Sequence, residues 1–174
     1  MSVLVRRPGL FTTVQDMGRW GYQRFGMPVA GAMDVFSYRL GNCLVGNIPP
    51  LASLEITLTG PELDFQDRCV CAITGADFEV HVDGVEIALN RRFVVRSGQH
   101  MWFGRLRSGA RAYLAISGGF DVPLVLGSRS THVASGIGGV DGRALRAGDL
   151  LKLGRVPDSV LPPVMSATPR VKLP

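Results

Sequence analysis

Glycine recurs 22 times in 174 residues with no repeat behind it, against an ordinary share of about 7%. Glycine at that density interrupts helices and supplies turns that need unusual backbone angles. The chain is thereby confined to short strands joined by tight connections. The hydrophobic pattern agrees. Leu54, Ile56 and Leu58 alternate with Glu55 and Thr57, the period of a half-buried strand. Phe78, Val80 and Val82 answer Val85, Ile87 and Leu89 across Asp83-Gly84, a two-residue hairpin signal that puts His81 on the solvent side. Further strands are expected at residues 4–7, 10–14, 69–74, 93–96, 100–103, 112–117 and 150–153. VVRSGQHMWFG at 94–104 echoes ALRAGDLLKLG at 144–154, which reads as one tight turn used twice.

One helix is expected. Asp34 is a good N-cap, Phe36, Leu40, Cys43 and Leu44 follow at helical spacing, and Gly46 with Pro49-Pro50 ends it. The architecture is therefore mainly β, a single barrel of short strands with one flanking helix, over residues 1–155. Residues 156–174 hold five prolines and read as a proline-rich linker or tail of a longer polypeptide.

Charge and composition exclude several classes. The net charge is +5 and nearly all of the basic residues are arginine, Lys152 and Lys172 being the lysines. The charge forms no lysine-rich block and no RNA-recognition signature, which argues against nucleic acid. No stretch reaches the ~18 apolar residues of a membrane span, and the N-terminus has no apolar leader. Three cysteines, an odd count without metal spacing, suit buried thiols in a cytoplasmic protein and no metal site. Six arginines between Arg91 and Arg111 read as a solvated strand edge more than as a docking face.

Two stretches carry candidate chemistry. TTVQDMGRWGYQRFGMPVAGAMD, residues 12–34, has little strand or helix period. In it Gln15, Asp16, Arg19, Tyr22 and Gln23 crowd around Gly18 and Gly21, with Asp34 at its end. Amides and an arginine suit a carboxylate or carboxamide, and a carboxylate suits a base or an orienting group. Asp16 and Arg19 would equally tie down the loop as an ion pair. GSRST, residues 127–131, places Arg129, Ser130 and Thr131 in a turn fit to hold an anion on backbone N–H groups. No strand-to-helix serine elbow and no histidine or cysteine triad is present.

These blocks are familiar together. GLFTTVQDMGRWGYQRFGMPVAGAMD, LGNCLVGN, LEITLTGPELDF, AITGADF, RSGARAYLAISGGFDVPLVLGSRST and GRALRAGDLL, in this order, resemble the KipA / allophanate hydrolase subunit 2 family over residues 3–154. That family takes in the C-subunit of 5-oxoprolinase and biotin-dependent carboxyltransferase parts of urea carboxylase. The resemblance implies a cyclophilin-like β-barrel and the N-terminal half of a protein about twice as long. It implies ATP-dependent opening of 5-oxoproline to glutamate with two partner proteins, one KipI-like and one LamB/YcsF-like. ATP would be bound by the complex rather than by this chain alone. Two alternatives stay open: transfer of carboxylate to urea or a related amide from biotin carried on a partner, and a non-catalytic regulator that antagonises a kinase inhibitor. On the enzyme readings the substrate is a small amide or lactam. Asp16 and Arg19 would be catalytic, and Gln15, Tyr22, Gln23, Asp34, Arg129, Ser130 and Thr131 would bind substrate. Ala30 stands where the family usually has serine, and Gly41 where alanine is commoner.

Overall fold

The computed structural model describes residues 1–47 and 50–156; the proline-rich tail expected from residue 156 lies, from 157 onward, outside them. Two long strands organise the rest. β5 (Cys69–Val82) pairs antiparallel with β8 (His100–Ile116) along one edge of β8. The other edge of β8 is divided. Its C-terminal half pairs with β3 (Ser53–Thr57) and its N-terminal half with β4 (Glu62–Phe65). β2 (Phe11–Gln15) extends the sheet beyond β3, and β1 (Ser2–Arg7) then β9 (Leu150–Lys152) extend it beyond β4. β6 (Val85–Glu86) and β7 (Arg92–Val95) flank β5.

The sequence suggests four strands where there are two. Residues 69–74 and 78–82 are one strand, and so are 100–103 and 112–116. Gly75 and Gly109 join them by taking positive φ, +91° and +82°, at the register shifts between β5 and β8. Bulges of this kind bend a strand without ending it. The bend curls the sheet around Val5, Leu63, Phe65, Ile73, Phe78 and Leu114, all fully buried.

Among the described residues strand pairing does not close the barrel. The gap between β2 and β1 is spanned by the irregular segment 128–149. Thr131 N and Leu145 N donate to the carbonyls of Val14 and Thr12 on β2, while Gly148 N donates to Val5 O and Val5 N to Asp149 O. The repeated turn is borne out here. Gly98 N donates to Phe65 O and Phe65 N to Gln99 O, and the Arg96 N–H is capped by the Gln99 side chain. At the second copy Gly148, Val5, Asp149 and Arg146 make the same set of bonds.

Helix α1 (Val35–Leu44) starts where expected, with the Asp34 carboxylate accepting from Ser37 N. Its buried face is not the apolar stripe. Ser37, Tyr38, Gly41 and Asn42 are inside, whereas Phe36 is 77% exposed and Cys43 is exposed. The reason is close approach. A Cβ on Gly41 would lie 3.0 Å from Thr74 Oγ1, and Thr74 Oγ1 itself donates to Ser37 O at 2.7 Å. Asn42 then bonds Tyr38 O and Ser53 Oγ. The helix is bolted to β5 and β3 by polar contacts that require a small residue at 41.

Two smaller expectations are corrected. His81 stacks on Trp102 with ring centroids 4.3 Å apart rather than facing solvent. Leu58 leaves the strand pattern, with φ +59° and its side chain largely exposed.

Candidate functional site

The opening stretch leaves β2 as a loop closed at its own neck. Arg19 N donates to Val29 O, and Ala32 N donates to Asp16 O. Gly18 and Gly31 meet there: a Cβ on Gly31 would lie 2.9 Å from Gly18 N, and one on Gly18 2.7 Å from Ala30 O. Trp20 and Phe25 stand exposed on the loop, Phe25 within a short 3-10 turn, Gln23–Phe25. Gln23 closes its own turn by accepting from Gly21 N, and Tyr22 is half-buried.

The structure brings the two candidate stretches together through one carboxylate. Asp16 Oδ1 accepts from Gly18 N at 2.8 Å and from the Ser128 and Ser130 hydroxyls at 2.6 Å each. Asp16 Oδ2 accepts from Arg129 N at 2.6 Å. The anion that the GSRST turn holds is thus the protein's own. Burial pushes the Asp16 carboxyl up, but the bonds from Ser128, Ser130, Arg129 N and Gly18 N outweigh it and hold it below the usual carboxylate range. The remaining residues of the turn are engaged as well. Arg129 Nε donates to Val122 O, and Thr131 Oγ1 donates to Val14 O.

Asp16 and Arg19 do not form the simple ion pair the spacing allows. No bond or ion pair joins them, and Arg19, 1% exposed, donates through Nη2 to the Ser130 carbonyl. Its Nε and Nη1, and Gln15 Oε1 nearby in sequence, have no hydrogen-bond partner. Burial lowers the guanidinium's pKa, and the Asp16 charge partly offsets that; an arginine remains a cation there. Gly138 packs on the same guanidinium, since a Cβ there would lie 2.8 Å from Nη2 and would clash with Ser130 O. A buried cation with unused donors is costly unless something else meets them.

Asp34 belongs to a second cluster. Its N–H donates to Tyr113 Oη at 2.8 Å, and Tyr113 Oη donates to Glu55 Oε2 at 2.6 Å. Glu55 Oε2 also accepts from Met33 N at 2.8 Å, and Arg111 Nε lies 3.4 Å from Glu55 Oε1. The sequence reading missed Glu55, Tyr113 and Arg111. Alternation placed Glu55 outside, but residues 53–56 are all buried, because residues 32–34 cover that face of β3. A carboxylate flanked by Leu54 and Ile56 was the one available signal.

Among the described residues, the start of α1 does not fit a triphosphate. The N-terminus of α1 is occupied by the Asp34 carboxylate, which Ser37 holds below its ordinary pKa, so the dipole end that would take a phosphate is already met by an anion. Of the two lysines, Lys152 stands exposed on β9 and Lys172 lies outside the described residues. Among the described residues no group of side chains could hold a metal ion, and no helix is long and apolar enough to cross a membrane.

The described residues form a curled, mainly β sheet with one docked α-helix and a polar loop fixed at one rim, the form expected of a cyclophilin-like barrel domain. The chain belongs to the carboxyltransferase domain family, subdomain A and B, which it matches over residues 25–172. It is 42% identical over 149 residues to the 5-oxoprolinase C-subunit of Escherichia coli (strain K12), covering 86% of this chain and 48% of that protein. It is 45% identical over 152 residues to the urea amidolyase of Lachancea kluyveri, covering 87% of this chain and 8% of that protein. The crystal structure of Kluyveromyces lactis urea carboxylase superposes with a TM-score of 0.87 at 40% identity, over 95% of this chain and 16% of that one. The chain therefore spans about half of the Escherichia coli protein it matches and a small part of the amidolyase.

Proposed function

We propose that this chain is part of a 5-oxoprolinase C-subunit, working with a KipI-like partner and a LamB/YcsF-like partner in the ATP-dependent opening of 5-oxo-L-proline to L-glutamate. The similarity to the Escherichia coli protein over about half its length supports the assignment. The observation that carries it to a site is Arg19, buried with Nε and Nη1 unpartnered, four residues along the chain from Gln15, whose Oε1 is also buried and unpartnered. Two cationic donors and a carbonyl acceptor match the carboxylate and lactam N–H of 5-oxoproline. Asp16, whose carboxylate is held by Gly18 N on its own loop and by Ser128, Arg129 N and Ser130 of the turn, serves as a positioning residue that fixes the Ser128–Ser130 segment near Arg19.

The test is glutamate release from 5-oxoproline by the full-length protein mixed with the KipI-like and LamB/YcsF-like partners and ATP, with each component omitted in turn. Release that needs all of them supports the reading. A folded, co-eluting complex without release overturns it. The urea amidolyase and urea carboxylase similarities favour one second reading, transfer of carboxylate from biotin on a partner to urea or a related amide. Consumption of carboxybiotin in the presence of urea, with no glutamate formed, selects that reading.

A further inference from the structure

Outside the Asp16–Arg19 region one edge of the sheet is left open. β2, at one end, receives Thr131 N and Leu145 N on its carbonyls, and β9, at the other, receives Asp121 N on Lys152 O. β7 pairs with β5 on one side and, among the described residues, with no strand on the other. A free edge offers unpaired N–H and C=O groups to an extended chain of matching chemistry.

Helix α1 stands on the same face as part of this edge. Leu44 and Val94 pack on one cluster, Val45, Val70, Ala72 and Ala115. Val70 stands opposite Val94 and Ala72 opposite Arg92. Residues directly opposite share a face, so Arg92 lies on the side of the sheet that carries α1. Leu44, Leu40 and Phe36 fall four apart and line one flank of the helix, the flank that Leu44 brings to the cluster it shares with Val94. Leu40 is half-buried and Phe36 exposed.

The edge is basic and uncompensated. Of the arginines at 91–111, Arg107 is met by Asp77 and Glu86, and Arg111 by Glu55. Arg91, Arg92 and Arg96 are exposed and make no ion pair among the described residues. Neither α1 nor residues 87–120 contain an acidic residue. The carboxylates that precede β7 and β5 in the chain are engaged: Glu86 accepts from Arg107, and Asp67 from Ser2 N.

Charge and edge geometry together select the occupant. A second copy would bring its own Arg91, Arg92 and Arg96 to a strand of four residues, and like charges brought together there repel. A nucleic-acid backbone would meet the arginines but offers no regular row of donors and acceptors to the strand. The edge reads Arg91-Arg92-Phe93-Val94, with Phe93 packed against the main core and half-buried. Its complement carries two adjacent acidic residues beside two apolar ones. We propose that β7 and the neighbouring flank of α1 dock an extended acidic segment of a partner protein, added to the sheet as a further strand. Its carboxylates meet Arg91 and Arg92, and its apolar residues meet Phe93 and the α1 flank. The proposal goes beyond the reading above, because docking here requires no ATP, no substrate and no turnover.

The experiment is a titration of the isotope-labelled full-length protein with the capped peptide Thr-Ile-Phe-Glu-Glu-Thr, followed at the backbone amide signals of Arg92, Phe93 and Val94. The comparison probes are the same peptide with lysine for both glutamates, the same peptide N-methylated at alternate residues, and a short oligothymidylate. Saturable shifts with the acidic peptide, and slower exchange of the β7 amide protons, are the expected result. Binding should weaken by about tenfold or more on N-methylation, which removes main-chain donors, and in the double variant Arg91→Glu, Arg92→Glu. Both arginines are exposed, so that variant keeps the fold, and it should take the lysine peptide instead. Equal binding of the N-methylated or the lysine peptide by the unaltered protein overturns the proposal, as does tighter binding of the oligothymidylate, or no saturable binding at these amides. So does self-association that shifts the β7 amides without any peptide. None of these results touches the glutamate-release assay, so the docking edge and the proposed activity fail separately.

Discussion

Ser130 and Asp16, separated by 114 residues, hold each other twice: the Ser130 hydroxyl donates to Asp16 Oδ1 at 2.6 Å and accepts from Asp16 N at 2.8 Å. That reciprocal pair, with the bonds from Ser128 and Arg129 N, closes the barrel where strand pairing leaves it open.

Asp16→Asn keeps the shape and removes the charge. An amide nitrogen in place of Oδ1 or Oδ2 would face a donor on either side, so the cost at pH 7 is about 2 kcal/mol. The folded carboxyl titrates below its ordinary value. Its stabilisation is therefore complete above the unfolded pKa of about 3.9 and is lost as the pH falls through the folded value. Urea unfolding of both proteins at pH 7 and pH 3 is the check: the gap between them should narrow at pH 3. An equal gap at both values would show that the charge is not what stabilises the turn.

Tyr113→Phe should cost about 1–3 kcal/mol, because it strands the partly buried Asp34 N–H and takes one donor from Glu55. Burial, then the bond to Glu55, raises the Tyr113 pKa, so the phenol stays a donor across the working range. Thermal unfolding gives the magnitude. Exchange of the Asp34 amide proton, expected to speed up in the variant, locates the effect.

Much of this fold was legible because local rules decide it. Asp34 caps a helix whatever surrounds it, and Asp83-Gly84 makes its hairpin turn with φ of +47° and +81°. The doubled turn at Gly98 and Gly148 was legible for the same reason. What was hidden depends on neighbours far along the chain. Phe36, Leu40 and Cys43 have a core-facing period, yet α1 docks on the opposite side because Gly41 lets it approach Thr74. Glu55 alternates like a surface residue, and only the returning loop at residues 32–34 buries it. The anion-holding character of GSRST was legible, but not that its anion is Asp16, since no short-range pattern links positions 16 and 130.

Cys43 is exposed, whereas Cys69 and Cys71 are buried, with the Cys69 thiol pushed up to about 12 by burial and Cys71 well above its ordinary value for the same reason. Only a thiolate reacts with disulfide reagents. The native chain should therefore release one equivalent of thiol quickly with Ellman's reagent at pH 8 and three after denaturation. Fast reaction of a second thiol would mean that the β5 region opens on the assay's timescale.

Gly136 and Gly138 are two residues apart and both take positive φ, +64° and +69°. A Cβ at 136 meets nothing within 4 Å, whereas one at 138 clashes with Ser130 O and crowds Arg19 Nη2. Gly136→Ala should cost about 1 kcal/mol from backbone conformation alone. Gly138→Ala should cost roughly 2 kcal/mol more, and should weaken the proposed activity by displacing the Ser130 carbonyl from Arg19. Chemical denaturation of the two variants side by side isolates the contact from the backbone term.

Arg19 gives the sharpest division between a structural and a functional role. If the guanidinium exists to hold the fold, Arg19→Met loses its bond to Ser130 O and destabilises the protein. But Arg19 makes a single side-chain hydrogen bond while Nε and Nη1 stay buried without partners. Replacing a poorly satisfied buried charge by an apolar side chain of similar length is often neutral or stabilising. The expected outcome is an unchanged or higher melting temperature, with stability altered by less than about 1 kcal/mol or increased. In the assembled complex the same variant should lose at least a hundredfold in kcat/KM, about 2.7 kcal/mol of transition-state stabilisation. Arg19→Lys, which keeps the charge and loses the planar donors, should recover little of it. A variant that is stable and fully active would remove Arg19 from the site, and one that unfolds would make it a strut of the barrel.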